Sequence, residues 1–269
     1  MDNIGLTGST GSLGKILLKN NKKKNIICFK GDICNKKLFN FWIKKNNINI
    51  MLHFAAIVPI KRVNKNFQKA YRVNYLGTKN VVDACVQNNI EWFFYTSTSH
   101  VYKYSEKKIS EDEEKKPISY YGKTKLLAEN YIIKKFKIKK IPYCIGRIFS
   151  TANKNQAKDY LVPDLKRKIR KKGKVNLKNL NHYRDFVSMD DISKIIFILY
   201  KKKFNGILNI ASGKSIYLKD IAMEILKKYK KKNYSFKDNE IASSLVGNNS
   251  KLKKMIKFDV KTSIKKLIF

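Results

Sequence analysis

The sequence is short of acidic residues, cysteine, histidine, proline and arginine, and each shortage excludes something. Asp and Glu number 20 against 59 Lys and Arg, a formal charge of +39. The four cysteines, Cys28, Cys34, Cys85 and Cys144, stand far apart with no C-x-x-C pair. They read as reduced thiols of a cytoplasmic protein, not as a disulfide frame or a zinc site. The three histidines, His53, His100 and His182, have no ligand spacing, so no metal is expected. No apolar run reaches the length of a membrane span, and the first residues lack the apolar core of a signal peptide. Arginine occurs only at Arg62, Arg72, Arg147, Arg167, Arg170 and Arg184. Nucleic-acid readers use its planar fork on phosphates and guanine. A chain that nearly avoids it carries its excess charge as a drift toward Lys, Asn and Ile on solvated faces. No nucleic acid and no membrane surface is expected as a partner.

Core-forming material is plentiful. Hydrophobic residues make up 43% and aromatics 12% of 269 residues, which excludes a wholly disordered chain. Short apolar strands alternate with amphipathic helices. Strands are expected at Asn3 to Thr7, Ile26 to Phe29, Ile48 to Ala55, Trp92 to Thr96, Ile141 to Ile148 and Ile207 to Ile210. Helices are expected at Lys36 to Lys45, Phe67 to Asn88, Ser119 to Lys135, Val162 to Lys171, Asp191 to Lys201, Leu218 to Lys228 and Thr262 to Leu267. Near-continuous apolar strands suit a sheet buried on both faces. Alternation of the two elements predicts a parallel sheet wound by right-handed crossovers.

The first strand runs into Thr7-Gly8-Ser9-Thr10-Gly11-Ser12-Leu13-Gly14 and then a helix. Gly8 permits the tight turn, Gly11 lets backbone approach a pyrophosphate, and Gly14 lets the helix pack closely. The helix N-terminus turns free N–H groups and a positive dipole end toward the phosphates. This predicts an α/β fold of Rossmann type, a doubly wound parallel sheet, with a small C-terminal α/β substrate lobe. Residues 1–149 would form the dinucleotide domain, completed by elements within 186–213. Residues 150–185 and 214–269 would form the lobe, with a boundary at Thr151 to Asn155. The second strand ends in Lys30, followed by Gly31-Asp32, where an acidic residue usually holds the ribose. Lys30 could neutralise a 2′-phosphate, which leans the choice between NAD and NADP toward NADP. Asp32 could hydrogen-bond the adenine.

Tyr121-Gly122-Lys123-Thr124-Lys125 opens a helix and puts Tyr121 and Lys125 on one face, at i and i+4. A phenol near pKa ~10 is a poor proton donor or acceptor at neutral pH. An ammonium beside it favours the phenolate and brings it toward the working range. Upstream, Tyr95-Thr96-Ser97-Thr98-Ser99-His100-Val101-Tyr102 ends a strand in hydroxyls. They stand where open α/β sheets bind ligands, at the carboxyl end of a strand.

These motifs, in order, resemble the extended short-chain dehydrogenase/reductase family, the NAD-dependent epimerases and dehydratases of nucleotide sugars. The resemblance extends to Gly31-Asp32-Ile33, His53-Phe54-Ala55-Ala56, Val73-Asn74-x-x-Gly77-Thr78, Arg184-Asp185-Phe186 with Asp190-Asp191, and Asn209-Ile210-Ala211-Ser212-Gly213. It implies Tyr121 as general acid/base, Lys125 as its partner and Thr98 as the substrate-orienting hydroxyl. It implies a cofactor held by the glycine loop from Gly8 to Gly14, by Lys30, Asp32 and Ile33, by Phe54, Ala55 and Ala56, by Asn74, and by Tyr121 and Lys125. Thr98, Ser99, His100 and Arg184 would meet the nucleotide sugar, Arg184 at its phosphates. A competing reading pairs Arg184 with Asp185 or Asp190, and Arg147 reads as structural. A homodimer through Phe67 to Asn88 and Ser119 to Lys135 is also implied.

The same resemblance speaks to the reaction. The family's 4,6-dehydratases carry an acid pair after the catalytic Thr, whereas Ser99-His100 follows Thr98, so dehydration is not expected. Reduction of a 4-keto-6-deoxy sugar nucleotide and epimerisation at C4 both remain. The chain departs from the family in lacking an arginine near Ile241 to Leu245 and in placing Ser150 where Asn is frequent. Both departures leave the substrate's identity open. Two readings from other classes stand beside the enzyme: a dinucleotide-binding sensor or scaffold without turnover, and a basic nucleic-acid-binding protein.

Overall fold

The computed structural model describes residues 2–153, 156–239, 241–260 and 262–268. Its contacts divide the chain into two units. The first comprises residues up to Lys103, Glu114–Ile148 and Asp190–Leu208. Its strands are β1 (Ile4–Thr7), β2 (Ile26–Cys28), β3 (Ile50–His53), β4 (Trp92–Thr98) and β5 (Tyr143–Ile148). With the strand Gly206–Ile210 they form one six-stranded sheet. Across the sheet the order is β2-β1-β3-β4-β5 and then Gly206–Ile210. The pairs β1·β2, β1·β3, β3·β4 and β4·β5 are parallel.

The Rossmann-type doubly wound expectation holds, with one difference. The standard dinucleotide-binding order 3-2-1-4-5-6 has two strands beyond β1. Here β2 alone lies on that side. The order reverses between β1 and β3, the point at which open α/β sheets bind ligands, at the strands' carboxyl ends.

The helices are α1 (Ser12–Asn20), α2 (Lys36–Lys45), α3 (Ile60–Lys65), α4 (Phe67–Tyr71), α5 (Thr78–Gln87) and α6 (Tyr120–Lys139). The expected helix Phe67 to Asn88 is interrupted by a π-helical stretch, Arg72–Gly77, and α3 escaped the periodicity. Asn35 caps α2 by accepting the Leu38 N–H, and Ser119 caps α6 by accepting the Gly122 N–H. Phe39, Ile43, Val81, Val82, Cys85, Ala128, Ile132 and Phe136 bury one face of the sheet. On the other face, Asn20 of α1 and Asn21, which caps it, bond to Asp190 and Ser193 of the helix Met189–Lys201.

The second unit comprises Tyr104–Glu113, Phe149–Met189 and the residues from Asn209 onward. Its core joins the helices Leu161–Ile169 and Leu218–Lys228 through Val162, Leu165, Ile221 and Ile225. The strand His182–Arg184 lies between Ile216–Tyr217 and Ser243–Leu245. The segment 104–113, expected with the dinucleotide domain, groups here. The Ile109 N–H donates to the Val246 carbonyl at 2.8 Å, and its carbonyl accepts from Asn248 N at 2.8 Å and Asn209 Nδ2 at 2.9 Å. At the expected boundary Thr151 to Asn155, Ser150–Ala152 is a strand paired with Phe186–Ser188. Lys154 and Asn155 lie outside the described residues.

A buried ion pair ties α6 to β5. Arg147 donates to Glu129 from Nη2 at 2.7 Å and from Nε at 3.2 Å, and from Nη1 to the Tyr102 hydroxyl at 2.8 Å. Ser97 also donates to Glu129. Burial opposes the guanidinium's charge, and the bonds to Glu129 override it, so Arg147 stays charged. Removing one partner strands the other's charge. Arg147→Met is expected to cost about 3–5 kcal/mol in urea unfolding, and Arg147→Met with Glu129→Leu to recover most of it. An unchanged midpoint in the single variant contradicts this.

Candidate active site

The sheet's carboxyl ends carry the predicted residues of the first unit. Gly8 turns at φ +75°, and a Cβ there would stand 2.6 Å from the Ala55 nitrogen. The glycine loop therefore lies directly against the segment after β3, joining Gly8 to Phe54 and Ala55. Gly14 is buried, whereas Thr10 and Gly11 are exposed. Gly11 caps α1 with no side-chain acceptor, and the first turn holds no acidic residue. The N–H groups of that first turn have no intrahelical acceptor, which suits an anion. Ser9, Ser12 and Leu13 are half-buried around this turn.

Lys30 is exposed at the end of β2. Asp32 is engaged already: it accepts the Cys34 N–H at 2.9 Å and pairs with Arg72 at 3.2 Å. Two expected cofactor contacts change character. Ile33 is a core residue, filling the space that Gly77 leaves without a side chain. Asn74 is fully buried, and its amide is spent within the protein. Its Oδ1 accepts Ile57 N at 2.7 Å, and its Nδ2 donates to Ile57 O at 3.2 Å and Thr124 Oγ1 at 3.3 Å. It shapes the loop that carries Ala55 and Ala56.

Thr98 ends β4 and accepts the His100 N–H at 3.3 Å, which leaves its own hydrogen to donate outward. Ser99 is buried in the following turn, as Thr98 is at the end of β4. His100 presents its ring edge-on to Tyr121, with centroids 6.1 Å apart. Helix α6 approaches this turn closely. A Cβ at Gly122 would collide with the His100 carbonyl, so only glycine lets Tyr121 stand beside the end of β4.

Lys125 lies one turn further along α6, 1% exposed, with its ammonium 4.1 Å from the Tyr95 ring centroid. No hydrogen bond to Nζ forms among the described residues, and the Tyr95 hydroxyl is buried beside Thr78. Burial pushes the Lys125 ammonium down to about 7, with Glu129 pulling the other way. A buried ammonium without an acceptor fits a ligand that brings its own, as ribose hydroxyls would. Sequence reasoning passed over Glu129, yet it stands at i+4 from Lys125 and i+8 from Tyr121, on the same face. It also passed over Thr7, Tyr95, Thr78 and Thr124.

In the second unit, Arg184 donates to the Tyr183 and Ser243 carbonyls at 2.7 and 3.0 Å and to Ser243 Oγ at 3.1 Å, and lies over the Tyr104 ring. The Asp185 carboxylate accepts from Ser212 N, Ser212 Oγ, Gly213 N and Gly247 N. Those donors account for it without an arginine. A cavity of about 450 Å³, lined by Ser212, Lys214, Asn249 and Lys253 among others, holds none of the predicted site residues. No group of His, Cys, Asp and Glu among the described residues could hold a metal ion. No described helix is long and apolar enough to cross a membrane.

A doubly wound sheet, a glycine turn into α1 and a Tyr–Lys pair beside the end of β4 define the extended short-chain dehydrogenase/reductase class. The chain belongs to the family described as GDP-mannose 4,6 dehydratase, whose model matches residues 4–269. This is a family of epimerases, dehydratases and dehydrogenases of nucleotide sugars. The chain is 28% identical to GDP-6-deoxy-D-talose 4-dehydrogenase of Aggregatibacter actinomycetemcomitans, over 98% of this chain and 94% of that protein. It is 26% identical to human dTDP-D-glucose 4,6-dehydratase over 78% of this chain, and spans 61% of that relative's length. The solved structure of MoeE5 in complex with UDP-glucuronic acid and NAD shares the fold, with a TM-score of 0.88 and 20% identity, covering 99% of this chain and 96% of that one. The expectation that set dehydration aside gains no support here, because the family description and the human relative are both dehydratases.

The buried ammonium makes a testable demand on stability. The unfolded chain holds this proton to the ordinary 10.5, the folded chain only to about 7. The folded state therefore bears the full cost below pH 7 and recovers it as pH rises. Lys125→Met without ligand is expected to exceed wild type by about 1–3 kcal/mol at acid pH. Urea midpoints should show that gap narrowing toward pH ~10; a gap independent of pH contradicts it.

Proposed function

We propose that this chain is an NAD(P)-dependent oxidoreductase of nucleotide-linked sugars that reduces a 4-keto-6-deoxy sugar. The observation carrying the proposal is the joint placement of Tyr121, Lys125 and Thr98 where α6 meets the end of β4. The relative matched along nearly both full lengths is named as a 4-dehydrogenase of a 6-deoxy sugar nucleotide, which favours this reading. Epimerisation at C4 is the second reading, since it needs the same three residues.

The first turn of α1, Ala55 and Ala56 would hold the dinucleotide, and Lys125 its ribose. A bound nicotinamide supplies the hydride chemistry. Thr98 donates its free hydrogen to the sugar's C4 oxygen and orients it toward Tyr121. Tyr121 Oη delivers or takes the proton at that oxygen, and the Lys125 ammonium favours its anion. Lys30, exposed while Asp32 is bound to Arg72 and Cys34, supports the lean toward NADP. Arg184, held in one orientation by Tyr183 and Ser243, would contact the diphosphate. Dehydration would need an acid–base pair after Thr98, and Ser99 and His100 stand there instead. We also place the protein in the cytoplasm as a homodimer, since Phe67, Leu76, Tyr120 and Leu127 are exposed on α4, the π-helical stretch and α6. Sedimentation as a monomer at micromolar protein refutes the dimer.

Incubation with NADPH or NADH and a panel of 4-keto-6-deoxy nucleotide sugars is expected to consume the reduced cofactor. Tyr121→Phe should lower turnover by about 10²–10⁴-fold while dinucleotide binding persists. Unchanged turnover refutes the role of Tyr121. Water loss from a 4-hydroxy sugar nucleotide, with no net cofactor consumption, would establish a dehydratase instead. Binding without turnover across the panel would favour a sensor.

A further inference from the structure

Three central strands end in a row of cross-strand neighbours: Thr7 faces His53, and His53 faces Tyr95. His53 is fully buried and takes no part in the proposed chemistry. Its Nδ1 lies 2.7 Å from Thr7 Oγ1 and its Nε2 lies 2.9 Å from Thr78 Oγ1. Counting hydrogens decides which way each bond runs. Thr7 Oγ1 already accepts the N–H groups of Phe54 and Ala55, both at 3.2 Å. A hydroxyl has one hydrogen and two lone pairs. Both lone pairs are taken, so the Thr7 hydrogen goes to Nδ1, which must be bare. At the other end, Thr78 spends its own hydrogen on the Asn74 carbonyl at 2.8 Å. It can only accept from His53, so Nε2 carries the proton.

The direction continues beyond the ring. Asn74 Nδ2 donates to Thr124 Oγ1 at 3.3 Å, and Thr124 donates to the Tyr121 carbonyl at 2.9 Å. Two runs meet at Asn74, its carbonyl ending the first and its side-chain amide starting the second, so the chain from the end of β1 to the first turn of α6 is joined through that residue, with every donor pointing one way. Its members also grip the segment after β3 twice. Thr7 holds the N–H groups of Phe54 and Ala55, and Asn74 holds both the N–H and the carbonyl of Ile57.

We infer that His53 is a positioning residue, held in the single neutral tautomer with hydrogen on Nε2, that sets the loop 54–57 and the start of α6 through one directed hydrogen-bond chain. The groups facing the ring agree. Tyr95 stacks on it at 5.6 Å and Phe93 lies 6.2 Å away, so aromatic rings pack against the imidazole. Burial and the nearby Lys125 ammonium hold the imidazole down to about 3. A ring that stays neutral keeps both ends of the chain in place at any ordinary pH. The importance of the loop for the cofactor rests on the function proposed above; the tautomer does not.

Imidazole ¹⁵N NMR on the wild-type protein without cofactor tests the tautomer. His53 is assigned by comparison with His53→Asn, which separates it from His100 and His182. The expected spectrum has a bare Nδ1 and a protonated Nε2 that do not titrate above pH ~4. A hydrogen on Nδ1, or a doubly protonated ring at neutral pH, overturns the inference. Positioning is tested by dinucleotide affinity. His53→Phe should weaken it by roughly tenfold or more, and His53→Asn, which keeps an acceptor for Thr7, should weaken it less. Adding Thr78→Val to His53→Phe should add little, because the chain is already cut. Fully additive losses overturn the relay. A wild type that binds no dinucleotide at all would sink the functional reading and leave the tautomer result standing.

Discussion

Everything at this site depends on how α6 lies against the end of β4. Its buried face carries Tyr121, Lys125 and Glu129 at successive turns, polar groups that a helix normally keeps in water. Two devices make the burial tolerable. Gly122 removes the side chain that would strike the His100 carbonyl, so the helix can seat. Arg147, Ser97 and Tyr102 then satisfy the network around Glu129. Among the described residues Lys125 has no hydrogen-bond partner; it meets the face of Tyr95 and feels the charge of Glu129. Glu129 is neutralised inside the protein, whereas the Lys125 ammonium is buried against an aromatic face, the kind of perturbed group that the proposed function uses.

The second constraint is the reversal of strand order between β1 and β3. Their adjoining ends lead into the glycine loop and the loop 54–57, and Gly8 lets the two touch at backbone distance. The hydrogen-bond chain through His53 locks that junction to α6. The parts proposed to face the cofactor and those proposed to act on substrate are thereby one mechanical piece of the first unit. With β2 the sole strand beyond β1, its end carries Lys30 and no free carboxylate, since Asp32 is turned to Arg72 and Cys34.

Much of this was legible in the sequence because it is local. The limits of α2 follow from its cap and apolar spacing, and Tyr121 with Lys125 from a helical period. The long segment from Phe67 to Asn88 misled periodicity, because a π-helical stretch hides inside an apparently continuous helix. What stayed hidden depends on partners distant in the chain. Nothing near Ile109 announces that it pairs with Val246 and Asn209. Ile33 and Asn74 matched a motif and turned out to be interior, one apolar and one with its amide spent on backbone. The excess of lysine, the most conspicuous feature of the composition, has little bearing on the proposed proton chemistry: Lys125 stands out for its burial, not for the number of lysines.

The central claim is that Lys125 is a desolvated ammonium awaiting the cofactor's acceptors. Calorimetric titration with the reduced dinucleotide, at about pH 8 in buffers of different ionisation enthalpy, reads the protons exchanged on binding. The account predicts uptake of a fraction of a proton by the wild type, as new hydrogen-bond acceptors and nearby phosphate raise the ammonium's affinity for its proton, and none by Lys125→Met. Binding with no net proton exchange in the wild type, or the same uptake in both proteins, would contradict it.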